Sequence, residues 1–461
     1  MTDSTISLHP LIKICDRKFF NRLFFIALPI ILQSILFSSK SLIDVLMLSQ
    51  LSEIDIAAMG IAAKALFVTT ILLSGIATGG GILSAQYWGV KNENGVKQST
   101  VLSLFATISF ASLFSFVFFF YPHLVMGLAT TSNAIIERGS EYLTIVGISL
   151  FSSAIIISFT ASFRSIAQPK ITTFFSACGI LCNIFLNWVL IFGHLGAPAL
   201  GIKGAAIATL ISGILEIILL GCYLFITQHL LKLNIKDFNV IFSLEKLKIF
   251  YSLSLPTTCN FLLWSVGIFT YHALMGITGV EGLAALSVLT PIESLSLSFL
   301  VGIANASAVM VGNELGAKKY QTAYYQAMLL TIIAIFITCF VAIVLFLSRS
   351  HILMLFPTLT PETKALATTF IEILSIGIVL RSLPTTLVVG VLRAGGDVRF
   401  CLYQDLLTQW VFGIPLVLIG VFVFHLPPQW IYMLFFAETL FKWGACIYRF
   451  KSKKWLNTLI D

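Results

Sequence analysis

Lys40 and Asp44 stand four residues apart as the only charged residues from Leu23 to Leu48, a stretch otherwise apolar or hydroxylic apart from Gln33. At helical spacing the two side chains share a face, so their simplest role is mutual neutralisation. The alternative is chemistry. A carboxylate shielded in a low-dielectric setting holds a proton near neutral pH, or binds Na⁺ when neutral oxygens complete the shell. A neighbouring ammonium opposes that protonation; one resolution is that Lys40 swings away in one conformation. Neutral oxygens are on offer in "NIFLNWVLIFG", where Asn183 and Asn187 lie one turn apart on one face, and in "GIKGAAIATLIS", where Thr209 carries a hydroxyl among small residues. Interhelical hydrogen bonding and close helix approach explain the same residues without an ion.

Further ionisable groups in apolar runs are Lys64, Glu216, Glu293, Glu372, Arg381, Asp405, Glu438 and Lys442. A charge at membrane depth is costly unless paired or hydrated, so each is a candidate. Glu438 and Lys442, four apart, can neutralise each other. Arg381, Asp405 and Glu293 form either a second ionic network or an ion-paired core.

The elements that must carry these groups are membrane helices. The chain has 461 residues, is 58% hydrophobic and 10% charged, and has a mean hydropathy of +0.98. Soluble domains are less apolar. Apolar runs of spanning length begin near residues 23, 55, 99, 141, 171, 200, 249, 283, 321, 363, 401 and 429. Of the 28 Lys and Arg residues, 20 fall on one set of connections and 4 on the other, with Lys40, Lys64, Arg381 and Lys442 inside spans. Positive charge is retained in the cytoplasm. Both termini are therefore expected there, in a multi-pass protein of the plasma or inner membrane. The net charge of +8 follows from this skew, not from a nucleic-acid-binding surface. HExxH, GxSxG and P-loop signatures are absent, so an enzyme is not expected, nor a cofactor or a resident metal beyond Na⁺ at Asp44.

The chain also repeats itself. An offset of 227 residues aligns Pro29 with Pro256, Gly75 with Gly302 and Gly89 with Gly316; Arg164 meets Arg393 at 229. Six spans per half is an even number, so both copies share one orientation about an axis along the membrane normal, an arrangement common in transporters. This reading divides the chain into an N-lobe (1–229), a cytoplasmic linker (230–248) and a C-lobe (249–461). Lys40 and Asp44 match Gly267 and Tyr271, so the repeat itself does not require charges at those positions.

The chain resembles the multidrug and toxic compound extrusion (MATE) family of the MOP superfamily over nearly its whole length. The resemblance rests on Asp44 followed by "AAMGIA", on "AQYWG", "GNELGA", "NIFLNWVLIFG", "GIKGAAIATLIS" and "GVLRAGGD", and on the terminal "YRFKSKKWL", in that order. It implies an all-α membrane protein: twelve transmembrane helices in two six-helix lobes related by a pseudo-two-fold axis along the membrane normal. It implies antiport of H⁺ or Na⁺ against organic cations, with Asp44, Asn183, Asn187 and Thr209 as the N-lobe cation site. DinF-like members carry a second aspartate where this chain has Asn187. NorM-like members carry a glutamate in span seven and an aspartate in span ten, where this chain has Trp264 and Ser382.

The expectation is a monomeric exporter of small organic compounds by alternating access. Asp44 is loaded from outside, Lys40, Glu293, Arg381 and Asp405 act as modulators, and Trp264 and Tyr271 line the substrate cleft. Two rivals are a lipid-linked oligosaccharide or other lipid flippase, for which Lys40, Lys64 and Arg381 would suit an anionic headgroup, and a non-transporting membrane scaffold.

Overall fold

The computed structural model describes residues 15–48, 51–354 and 360–460, and every regular element among them is helical. The first six long helices are α1 (Arg17–Leu48), α2 (Glu53–Gly89), α3 (Glu93–Phe120), α4 (Asn133–Ser165), α5 (Pro169–Phe192) and α6 (Ile202–Ile226). The second six are α7 (Leu244–Ile277), α8 (Val280–Gly316), α9 (Tyr320–Met354), α10 (Pro361–Leu392), α11 (Val398–Phe422) and the pair α12 (Pro428–Leu434) and α13 (Ala437–Lys451).

Eleven of these helices are long and apolar enough to cross a membrane. The run expected near 429 is instead two short helices of 7 and 15 residues. Most helices start before the apolar run does; α4 begins at Asn133, not near 141. A spanning segment bonds its backbone internally, and its helix carries on past the hydrocarbon into polar sequence.

Pro29 in α1 and Pro256 in α7 are equivalent in the repeat and both lie inside a helix. Each removes one backbone hydrogen bond, which membrane helices tolerate when neighbours supply partners. In α10 and α11 the winding changes to π-helix over Thr386–Leu392 and Leu406–Gly413. Such wider turns re-aim side chains and recur at functional sites.

The helices form two compact units, neither continuous in sequence. Unit 1 comprises Met1–Ile31, Ala85–Val90 and Leu263–Asp461; unit 2 comprises Leu32–Ser84 and Lys91–Leu262. Helices α1, α2 and α7 are thus each divided between them. Unit 1 is centred on Met275, Leu289, Phe370, Leu374 and Tyr432, and unit 2 on Leu73, Leu143, Val146, Leu150 and Ala206.

The repeat is visible in the packing inside each unit. In unit 2 a Cβ at Gly75 would lie 2.6 Å from the Thr258 Cα, and in unit 1 a Cβ at Gly302 would run into Ile31. Both partners in these contacts differ by the same offset of 227. The lack of a side chain at the glycine lets α7 approach α2, and α1 approach α8, at backbone distance.

Candidate functional site

Helices α1, α5 and α6 bring Asp44, Asn187, Asn183 and Thr209 together in unit 2. Asp44 Oδ1 accepts from Asn187 Nδ2 at 2.7 Å. The same Nδ2 lies 3.3 Å from Asn183 Oδ1, and Asn183 Nδ2 lies 3.4 Å from Thr209 Oγ1. Thr209 in turn donates to its own helix at Ala205 O, 3.0 Å away. The i, i+4 spacing of the two asparagines stacks their amides on the buried face of α5, and both are at most 2% exposed. All four residues expected at the cation site meet in one hydrogen-bonded row.

Three features give the row its electrostatic character. Asn187 Oδ1 is buried and has no hydrogen-bond partner among the described residues. An orphan amide oxygen beside a carboxylate is an acceptor looking for a positive ligand, since leaving it bare costs about 1–3 kcal/mol. Lys40 Nζ lies 3.8 Å from Asp44 Oδ2, a distance longer than a charge-assisted hydrogen bond, with side chains 24% and 20% exposed. Tyr142 of α4, buried, lies within coulombic range of Asp44. It sits on another helix, 98 residues away in sequence, and nothing in the sequence marked it.

Among the described residues no group of three or more His, Cys, Asp or Glu side chains converges as a metal site. One carboxylate with amide and hydroxyl oxygens fits a proton or a hard monovalent cation, whose ligands are oxygens.

Unit 1 treats its charges differently. Arg381 pairs with Glu293 and places its guanidinium 4.7 Å from the centre of the Phe436 ring. Asp405 is not in that pair; Lys442 Nζ holds Asp405 Oδ1 at 3.1 Å and Glu438 Oε1 at 3.2 Å. The expected grouping of Arg381, Asp405 and Glu293 is therefore split into two clusters. The pairing of Glu438 with Lys442 follows the helix spacing, and Asp405 joins them from α11, where the π-helical segment begins.

Tyr271 donates to Glu438 Oε2 at 2.7 Å and stacks on Phe435 at 4.7 Å between ring centres. Gly413, at the end of that π segment, makes room for both: a Cβ there would lie 2.8 Å from Glu438 Oε2. Tyr271 is buried in the core of unit 1 and has no free face for a substrate, because its phenol is bound and its ring covered. Trp264 is 41% exposed, and Ser382 is buried, bonded to Val379 O at 2.6 Å.

The family model described as MatE matches residues 29–189 and again 256–419. The two matches begin 227 residues apart, the offset of the internal repeat. The chain is 26% identical over 451 residues to an uncharacterized transporter, YisQ, of Bacillus subtilis (strain 168), covering 96% of each protein. It is 25% identical over 409 residues to the multidrug resistance protein NorM of Vibrio cholerae, covering 85% of each. A solved structure described as the outward-facing conformation of a multidrug resistance MATE family transporter of the MOP superfamily superposes with a TM-score of 0.86. That match has 18% identity and covers 98% of this chain and 100% of the other. With its fold, its repeat and its sequence relatives in agreement, the chain belongs to the MATE family of multi-pass membrane transporters.

Proposed function

We propose that this MATE efflux transporter is driven by H⁺ or Na⁺ entering at Asp44, in antiport against organic cations. The observation that carries the reading is the Asn187 side chain. Its amide nitrogen holds the Asp44 carboxylate at 2.7 Å while its amide oxygen, buried alongside, is left without a partner among the described residues. A cation entering there finds a full negative charge, a bare oxygen and, one helical turn on, the Asn183 and Thr209 oxygens.

Coupling requires the ion and the substrate to favour different states of the protein. Binding a cation neutralises Asp44 and weakens both its hold on Lys40 within α1 and its hydrogen bond from Asn187 of α5, so α1 repacks against α5. The working arrangement is a monomer in the plasma or inner membrane with both termini in the cytoplasm and lobes at 1–229 and 249–461. It binds small organic compounds and works by alternating access. Trp264 offers a half-exposed aromatic face to a cationic substrate.

A flippase for an anionic headgroup would need Lys40, Lys64 and Arg381 to present positive charge. Lys40 and Arg381 are paired with Asp44 and Glu293, which weighs against that reading.

The test is purified protein in liposomes, given separately a pH jump and a Na⁺ jump while ethidium is followed. Efflux driven by one of the gradients, and lost in Asp44→Asn at normal insertion, supports the proposal. Gradient-driven efflux that survives Asp44→Asn refutes the assignment.

A further inference from the structure

Beneath the Asp44 row, unit 2 contains a second polar layer with its own carboxylate, Glu216 of α6. Arg164 Nη2 donates to Gln33 Oε1 at 2.7 Å, Gln33 Nε2 donates to Ser176 Oγ at 3.1 Å, and Ser176 Oγ donates to Glu216 Oε1 at 2.7 Å. The direction of this chain is set from its head. A guanidinium only donates, so Gln33 must turn its oxygen to Arg164 and its nitrogen to Ser176. The single Ser176 proton then goes to the carboxylate. Every link is polarised toward a negative charge on Glu216, and among the described residues that carboxylate has no ion-pair partner within 4 Å.

The two layers are in helical register. Asp44, Lys40 and Gln33 descend α1; Asn187, Asn183, Gly179 and Ser176 descend α5; Thr209 and Glu216 lie seven residues apart on α6. Seven residues are nearly two turns, about 10 Å, and the same spacing separates Asn183 from Ser176, while Asp44 and Gln33 are eleven residues or about three turns apart, so each helix presents both layers on one face. Gly179 keeps the path open between them: a Cβ there would sit 2.9 Å from Glu216 Oε2, the oxygen not engaged by Ser176. Lys40 stands between the layers, 3.8 Å from Asp44 and within coulombic range of Glu216 as well.

We propose that Glu216 is a second anionic station in this unit and that the Lys40 ammonium passes between Asp44 and Glu216. When the coupling cation occupies Asp44, Lys40 is displaced down its flexible stem to Glu216; when the cation leaves, Lys40 returns. Lys40 keeps its proton throughout and acts as a tethered counter-cation, so the ammonium always has a carboxylate beside it, while in the ion-free state Glu216 is held by the Ser176 hydroxyl. This removes the obstacle an adjacent ammonium would pose to loading Asp44. It presupposes Asp44 as the cation site.

The experiment is a double-mutant cycle in proteoliposomes, reading the H⁺ or Na⁺ concentration that half-maximally drives ethidium efflux. With Lys40 present, Glu216→Gln strands the ammonium on Asp44 and should raise that concentration about tenfold or more. In a Lys40→Met background the same change should matter less than about twofold, because no ammonium remains to be displaced. Glu216→Gln indistinguishable from the unmodified protein, or equally damaging with and without Lys40, overturns the proposal.

If Glu216→Gln is not recovered from the membrane, Gly179→Ala, which crowds Glu216 Oε2, takes its place in the cycle with the same two outcomes. Asp44→Asn is assayed in parallel. If it still couples, the cation-site reading fails whatever Glu216 does; if it is silent while Glu216→Gln is normal, only the Lys40 exchange fails.

Discussion

Unit 2 and unit 1 each bury a lysine beside carboxylates, and they do so in opposite ways. Lys40 faces Asp44 at 3.8 Å, about one-fifth exposed, with an orphan amide oxygen alongside. Lys442 is held at 3.1 and 3.2 Å by two carboxylates, one of them also bonded by a tyrosine, and the three charged side chains are only 11–12% exposed. A charge whose partners are close and fully satisfied is expensive to disturb and serves the fold. A loose pair with a bare oxygen beside it exchanges partners at little cost. On this comparison the proposed ion exchange belongs to unit 2 and the clamp to unit 1.

The largest effect expected is on transport. Asp44→Asn should reduce gradient-driven ethidium efflux about a hundredfold, the upper end of what one coupling site supplies, while detergent-extracted protein keeps its thermal midpoint. A variant that stays coupled breaks the comparison outright.

Next comes the clamp. Lys442→Met leaves Asp405 and Glu438 as buried charges without their ammonium and should cost about 3–5 kcal/mol, read as a large drop in thermal midpoint and in folded yield. The triple change Asp405→Asn, Glu438→Gln, Lys442→Met should recover most of that stability, since replacing a whole buried ionic group is near neutral. If the triple variant is stable yet uncoupled, unit 1 also takes part in ion exchange and the contrast between the units fails.

Tyr271→Phe removes one hydrogen bond to a charged acceptor, for which about 1.5–3 kcal/mol is typical, and should lower the midpoint without altering the ion dependence of efflux. A shift in ion dependence would move Tyr271 from packing to function. The smallest effect belongs to the half-exposed pair of Lys203 and Glu141, 3.0 Å apart at the surface of unit 2. Lys203→Ala should change stability by less than about 1 kcal/mol and leave coupling intact.

Parts of the site are legible in the sequence alone. Asn183 and Asn187 are spaced for one helix face, and both point to Asp44's side of α5 as that spacing requires. The pair of Glu438 and Lys442 was readable for the same reason. Asp405, Tyr142 and the Arg164–Gln33–Ser176–Glu216 chain were not, because each contact crosses between helices far apart in sequence. Arg164 looked like a loop charge from its place at the end of an apolar run; the helix extends through it and turns it inward to Gln33. Tyr271 looked like a cleft aromatic and is packed in a core, since an aromatic residue on a membrane helix reads the same from either side.

What the sequence determined by itself is what depends on neighbours within a few turns, namely membrane class, the first eleven spans and the faces that carry amides and charges, together with the duplication, which needs only a comparison of the chain with itself. Only the tertiary structure decided which charge answers which. Helix periodicity is local and written into the spacing of residues, whereas the match of Asp44 to Asn187, 143 residues away, depends on how whole helices pack against each other.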